Sequence, residues 1–182
     1  MLKPRIVLPS LGLCALILNG CFVTQAQLFA HFDLPSPFTI DSSTDPFELV
    51  PIDLNTLGDY SKHKDNLKGL SEVAVVGKFT NLRGPAGTVE VWITPDLTVY
   101  ATISQVKAHG TLLWSGSIGA APAEHDVDWD ESARLINPAG KAILIHEAKG
   151  DGVFMLYVFG TAGDYRIDMK DGALILTLDA GL

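Results

Sequence analysis

The chain predicts an all-β fold: an antiparallel β-sandwich of about nine strands behind an extended N-terminal tether. Three observations carry this. Short runs rich in Val, Ile, Leu, Phe and Tyr recur from residue 47 onward, each bounded by Gly, Pro, Asn or Asp. Several runs alternate apolar and polar residues with the period of two that buries one face of a strand. Two-residue and longer turn signals fall between runs whose apolar positions can be placed opposite one another.

The first element is a leader. Lys3 and Arg5 precede an apolar run from Ile6 to Leu18, interrupted by Pro9, Ser10 and Gly12. Thirteen residues are too few for a bilayer-spanning helix, which takes about 20, so the run reads as a secretory signal. It closes on Leu18-Asn19-Gly20-Cys21, which resembles the lipobox of bacterial lipoproteins in having an aliphatic residue three before the cysteine and a small one directly before it. Cys14 fits poorly, because bulky Leu13 precedes it. The resemblance implies a diacylglyceryl group on Cys21, cleavage before it, and acylation of the freed amine, giving a membrane anchor. Phe22 rather than Asp follows the cysteine, which in that family implies the outer membrane.

This divides the chain into a signal peptide at 1–20, the lipidated cysteine and tether at 21–45, and a sandwich domain at 46–182. Pro35, Pro37 and a polar background mark the tether as extended. Leu28, Phe29, Phe32 and Phe38 suggest that part of it docks on the domain.

Within the domain the candidate strands are 47–54, 72–80, 88–94, 98–105, 111–118, 142–148, 153–160, 165–169 and 173–178. Residues 60–70 carry one helical turn, with Leu67 and Leu70 three apart. Pro95-Asp96-Leu97 is read as a three-residue hairpin loop pairing Ile93 with Val99 and Val91 with Ala101. That register leaves Glu90, Trp92, Tyr100 and Thr102 on the opposite face. A second hairpin turns at 149–152, placing Ile143 and Ile145 with Phe154, Leu156 and Val158, and His146 with Met155 and Tyr157. Residues 153–159 are apolar on both faces, as a central covered strand should be. A third hairpin turns at Asp171-Gly172, putting Tyr165, Ile167 and Met169 on one face with Leu174, Leu176 and Leu178.

Composition narrows the function. The chain carries 13 Lys and Arg against 21 Asp and Glu, and losing Lys3 and Arg5 with the leader takes its formal charge from −8 to −10. Nucleic acid is a poor partner for such a surface, since its binding rests on neutralising phosphates. With Cys14 removed and Cys21 lipidated, no thiol remains for a disulfide, catalysis or zinc.

Two constellations bear on chemistry. Trp92 and Tyr100, with Glu90 beside them, form an aromatic pair on which a sugar could stack; cross-strand packing of the two rings, or cover by the tether's phenylalanines, is the preferred reading. Asp126, Asp128 and Asp130 match the first three ligand places of an EF-hand loop, making calcium the candidate ion. Glu131 stands where the turn glycine belongs, and Asn137 replaces the last glutamate. Such an acidic run more often forms a solvated loop whose Val127 or Trp129 plugs the core. No nucleophile elbow, zinc helix or phosphate loop is present, and His31, His63, His109, His125 and His146 are scattered.

The expected function is a lipid-anchored, non-catalytic binding or assembly module of the cell envelope, with a membrane contact through the anchor and an envelope protein or glycan as partner. Two alternatives stand beside it. One is a carbohydrate-binding module using Trp92 and Tyr100; the other is an envelope enzyme whose site is built from dispersed residues.

Overall fold

A computed structural model describes residues 25–181, so the leader and Cys21 lie outside the described residues. Two antiparallel sheets pack face to face. In the first, β1 (Gln25–Asp33), β9 (Arg166–Gly181), β4 (Leu67–Arg83) and β7 (Ala123–Val127) lie in that order, and β2 (Phe38–Asp41) also pairs with β9. In the second the order is β3 (Phe47–Asp53), β8 (Val153–Gly160), β5 (Gly87–Thr94), β6 (Thr111–Ile118). The expected sandwich of about nine strands is the fold.

β1 and β2 are two halves of one edge strand. β1 pairs with β9 as far as Asp33 with Ala173, and β2 resumes at Phe38 with Met169. Counted as one, they leave eight strands, ordered first-eighth-third-sixth in one sheet and second-seventh-fourth-fifth in the other. That is a jelly roll, two Greek keys wound into two sheets. The segment expected as a tether is extended, but from Gln25 it is built into the sheet. Ala30 and Phe38 are buried, Leu28 and Phe32 pack against the core, and Phe29 points to solvent.

The core lies between the sheets. Val89, Val91 and Ile93 of β5 meet Leu174, Leu176 and Leu178 of β9 in one apolar cluster. Phe79 and Trp114 stack across it, 5.8 Å apart at 14°. β8 is buried on both faces and lies between β3 and β5, as its uninterrupted apolar run requires.

Among the described residues four α-helices complete the fold: α1 (Gly58–His63), α2 (Ile103–His109), α3 (Trp129–Leu135) and α4 (Pro138–Lys149). β7 reaches only residues 77–81 of β4, and α3 lies against β4 beyond its reach. There the buried Ser132 hydroxyl accepts a hydrogen bond from Val75 N at 2.6 Å. α4 packs flush on β6, so closely that a β-carbon on Gly140 would stand 2.5 Å from Leu113 Cα.

Three expectations need correction. Residues 165–178 form no hairpin, because β9 runs through from Arg166 to Gly181. Asp171 adopts φ 51° inside it and shifts the register against β4. Tyr165, Ile167, Met169, Leu174, Leu176 and Leu178 still share the core, since a one-residue bulge changes the phase of a strand just as a two-residue turn does. Residues 142–148 are helix rather than strand: Gly140, Leu144, Glu147 and Ala148 are buried at helical spacing, and His146 faces solvent. Residues 98–105 are also not a strand. β5 pairs with β6 and β8, while 98–102 are irregular and lead into α2. Val91 and Ile93 are in the core as expected, but Val99 is 64% exposed and Ala101 also faces solvent.

Candidate functional site

Glu90 and Trp92 alternate outward on β5, and the strap of residues 95–110 folds over them. Thr102 caps α2 by accepting from Gln105 N at 3.2 Å, and Gly110 ends it. The helix lays Val106 onto Met155, Tyr157 and Phe159, the outer face of β8. This second, smaller apolar layer makes an outward sheet face into an interior.

The aromatic residues are all engaged there. Trp92 lies 6.3 Å from Phe159 at 21°, and its Nε1 donates to Glu90 Oε2 at 2.8 Å. Lys107 Nζ reaches the same carboxylate oxygen at 3.0 Å and stands over Trp92 and Phe159 at 5.4 and 5.3 Å. Tyr100 stacks on His109, 4.9 Å apart and within 6° of parallel. Tyr157 donates to Thr98 O at 2.9 Å and accepts from Tyr100 N at 3.0 Å, pinning the strap, and burial pushes its phenol above the usual tyrosine range. Trp92 and Tyr100 are thus half-buried parts of a packed layer rather than neighbours on paired strands. The cover is α2, not the tether or a strand.

The acidic run divides between two elements. Asp126 is exposed on β7, whose Val127 enters the core. Asp128 is spent as the cap of α3, accepting from Glu131 N at 2.8 Å, and Asp130 lies in the first turn, where a carboxylate suits the helix dipole. Among the described residues no three His, Cys, Asp or Glu side chains gather as metal ligands. The strand ends at Val127 and the helix starts at Trp129, so the three carboxylates sit on different elements.

His125 Nε2 lies 2.8 Å from Glu131 Oε1, the spacing of an acid–base pair, and His31 Nε2 lies 3.0 Å from Asp33 Oδ1 on β1. Both stand at sheet edges. A groove of about 270 Å³ runs between Ser71, Glu72 and Val73 of β4 and the α3–α4 junction. A second, about 150 Å³, lies between Leu28–Ala30 of β1 and residues 57–60. Neither takes in a histidine. Lys141 Nζ closes the first by donating to Ser71 O at 2.6 Å.

One charge cluster ties the first sheet together. Arg83 Nη2 meets Asp41 Oδ1 at 2.7 Å and its Nε meets Asp164 Oδ1 at 2.9 Å, tying β2 and β4 to the turn before β9. Hydrogen bonds from Arg83 and Ser43 hold the Asp41 carboxyl well below the usual range. Among the described residues the β1 backbone bonds only to β9, residues 57–60 stand beside its Leu28–Ala30, and Phe29 is 76% exposed.

No protein-family model matches the chain, and no curated protein shows significant similarity to it. Solved structures are similar at low identity. A structure of Cocksfoot mottle virus is 11% identical over 100% of this chain and 96% of the other, with a TM-score of 0.38. One of Turnip Yellow Mosaic Virus is 13% identical over 87% and 94%, with a TM-score of 0.34. One of Desmodium yellow mottle tymovirus is 11% identical over 100% and 94%, with a TM-score of 0.30. Overlays this loose carry no inference about what this chain does.

Proposed function

We propose that the chain is a lipid-anchored, non-catalytic module of the cell envelope, held at the outer membrane through Cys21 and working by binding or assembly. The observation that carries this reading is where the chain enters the fold. β1 begins at Gln25, four residues after Cys21, and four residues span at most about 14 Å. An anchor on Cys21 would therefore hold β1, an edge strand of the first sheet, beside the bilayer. The aromatic layer, Asp128 and the Arg83 cluster are engaged within the fold. The test is mass spectrometry of the membrane fraction together with a Cys21→Ala variant. A triacylated N-terminal cysteine, and release of the variant from membranes, are the expected results. A mature chain starting elsewhere, or a variant equally membrane-bound, refutes the anchor.

A further inference from the structure

We infer that the loop at 95–99, between β5 and α2, is a second membrane contact: it lays Leu97 and Val99 into the headgroup boundary of the bilayer, a role that rests on the anchor at Cys21 proposed above. The strand registers bring it there. Gln25 opens β1 opposite Gly181, and Leu67 opens β4 opposite Ala180, so the chain enters at the end of the first sheet from which β4 starts. In the second sheet β3 ends at Asp53 opposite Val153 and β5 ends at Thr94 opposite Met155, both at the start of β8. Residues 54–66 join these two ends, running from β3 into β4, with Leu54 N donating to Gly152 O and residues 57–60 standing beside Leu28–Ala30 of β1. Chain entry, residues 54–66, the loop at 95–99 and the turn at 149–152 therefore share one end of the sandwich. The four residues from Cys21 to Gln25 span at most about 14 Å, which holds that end close to the lipid.

The loop holds its aliphatic side chains outside. Thr94 Oγ1 donates to Asp96 O at 3.2 Å, Asp96 Oδ1 accepts from Thr98 N at 2.9 Å, and the Tyr157 hydroxyl grips Thr98 O and Tyr100 N. Pinned in this way, the loop cannot turn Pro95, Leu97 and Val99 inward, and all three face solvent. Among the described residues four large apolar side chains are exposed. Leu97 and Val99 are two of them, Phe29 stands beside residues 57–60 at the same end, and Leu82 lies toward the other. Charge agrees with the placement. Segments 54–66, 95–110 and 149–152 each balance lysine against aspartate, two of each in the first and one of each in the others, in a chain whose formal charge is −8. An acidic domain meets a headgroup surface with least repulsion there. Two aliphatic side chains are too few to hold a chain at a bilayer, so the contact orients a domain that the lipid holds.

The test uses the full chain, purified from membranes in mild detergent and reconstituted in vesicles of phosphatidylethanolamine and phosphatidylglycerol that contain spin-labelled lipid. With Cys14 lost in the leader and Cys21 acylated, Leu97→Cys supplies one free thiol for a fluorophore. Its emission should be strongly quenched. A fluorophore on Ala86→Cys, exposed in the turn between β4 and β5 at the opposite end, should keep its emission. Adding Val99→Asp to Leu97→Cys should abolish most of the quenching and leave the chain bound to the vesicles through Cys21. Equal quenching at positions 97 and 86, none at 97, or quenching indifferent to Val99→Asp would each overturn the contact and leave the anchor standing. A chain that does not stay with the vesicles would overturn anchor and contact together.

Discussion

Gly77 of β4 lies directly against Gly172 of β9: a β-carbon on Gly77 would stand 3.0 Å from Gly172 Cα and 3.2 Å from Lys170 O. Gly77 itself has φ 149°, and β4 shifts register there, between Val76 and Lys78. The break between β1 and β2 falls at the same level, with Leu34 N donating to Gly172 O and Asp171 N to Ser36 Oγ. Irregularities in three neighbouring strands thus form one line across the sheet. On one side β9 and β4 are flanked by β1, and on the other by β2 and β7.

Gly77→Ala should therefore destabilise by about 1 to 3 kcal/mol, from backbone strain and from overpacking against atoms that cannot swing aside. Urea midpoints of the variant and the wild type measure it. An unchanged midpoint would mean that the line yields without cost.

Ile93 is 0% exposed on β5, whereas Val99, once its expected cross-strand partner, is 64% exposed. Ile93→Ala should cost about 2 to 5 kcal/mol, and Val99→Ala less than about 0.5. Equal losses in denaturant titrations would restore the hairpin.

Trp92→Ala should cost about 2 kcal/mol, less than the 3 to 5 of a fully buried tryptophan, because the ring is half covered. Lys107→Ala should cost under about 1 kcal/mol, as suits a partly exposed ion pair over aromatic rings. Melting curves check both. The same Trp92→Ala protein can be tried on glycan arrays: lost glycan binding at unchanged stability would restore the sugar platform.

Burial, with Asp151 and Asp53 nearby, pushes the Tyr60 phenol up to about 12, and its hydroxyl donates to Ala148 O at 2.9 Å. The unfolded phenol releases its proton near 10, so between pH 10 and about 12 the unfolded state has lost a proton that the folded state keeps. Stability should fall as pH rises through that window, by about 2 kcal/mol from this group. Tyr60→Phe should be weaker at pH 7 by about 1 kcal/mol and flatter above pH 10. Parallel slopes for both proteins in alkaline denaturation would disprove it.

The strands at 47–53, 111–118 and 153–160 were legible because runs of β-branched and aromatic residues between turn signals have few other uses. Residues 165–178 were assigned to the right face but the wrong topology, since a bulge and a tight turn leave the same phase change. The helices had start signals that strand-like composition masked. Thr102-x-x-Gln105 and Asp128-x-x-Glu131 are spaced as capping boxes, and Asn137-Pro138 is a cap followed by proline in the first turn. Read as punctuation, Thr102 would have revealed the strap that encloses Trp92. No local signal could reveal that β1 pairs with residues more than a hundred positions away.

β9 follows the other described strands in chain order and, among the described residues, is the strand partner of both β1 and β2, with Gln25 paired to Gly181. A chain emerging from its N-terminus cannot complete this sheet until β9, which bridges β1, β2 and β4, follows its partners. Loops of this length close late, and such topologies fold slowly. Strand order alone thus keeps the first sheet open until β9 joins β1, β2 and β4.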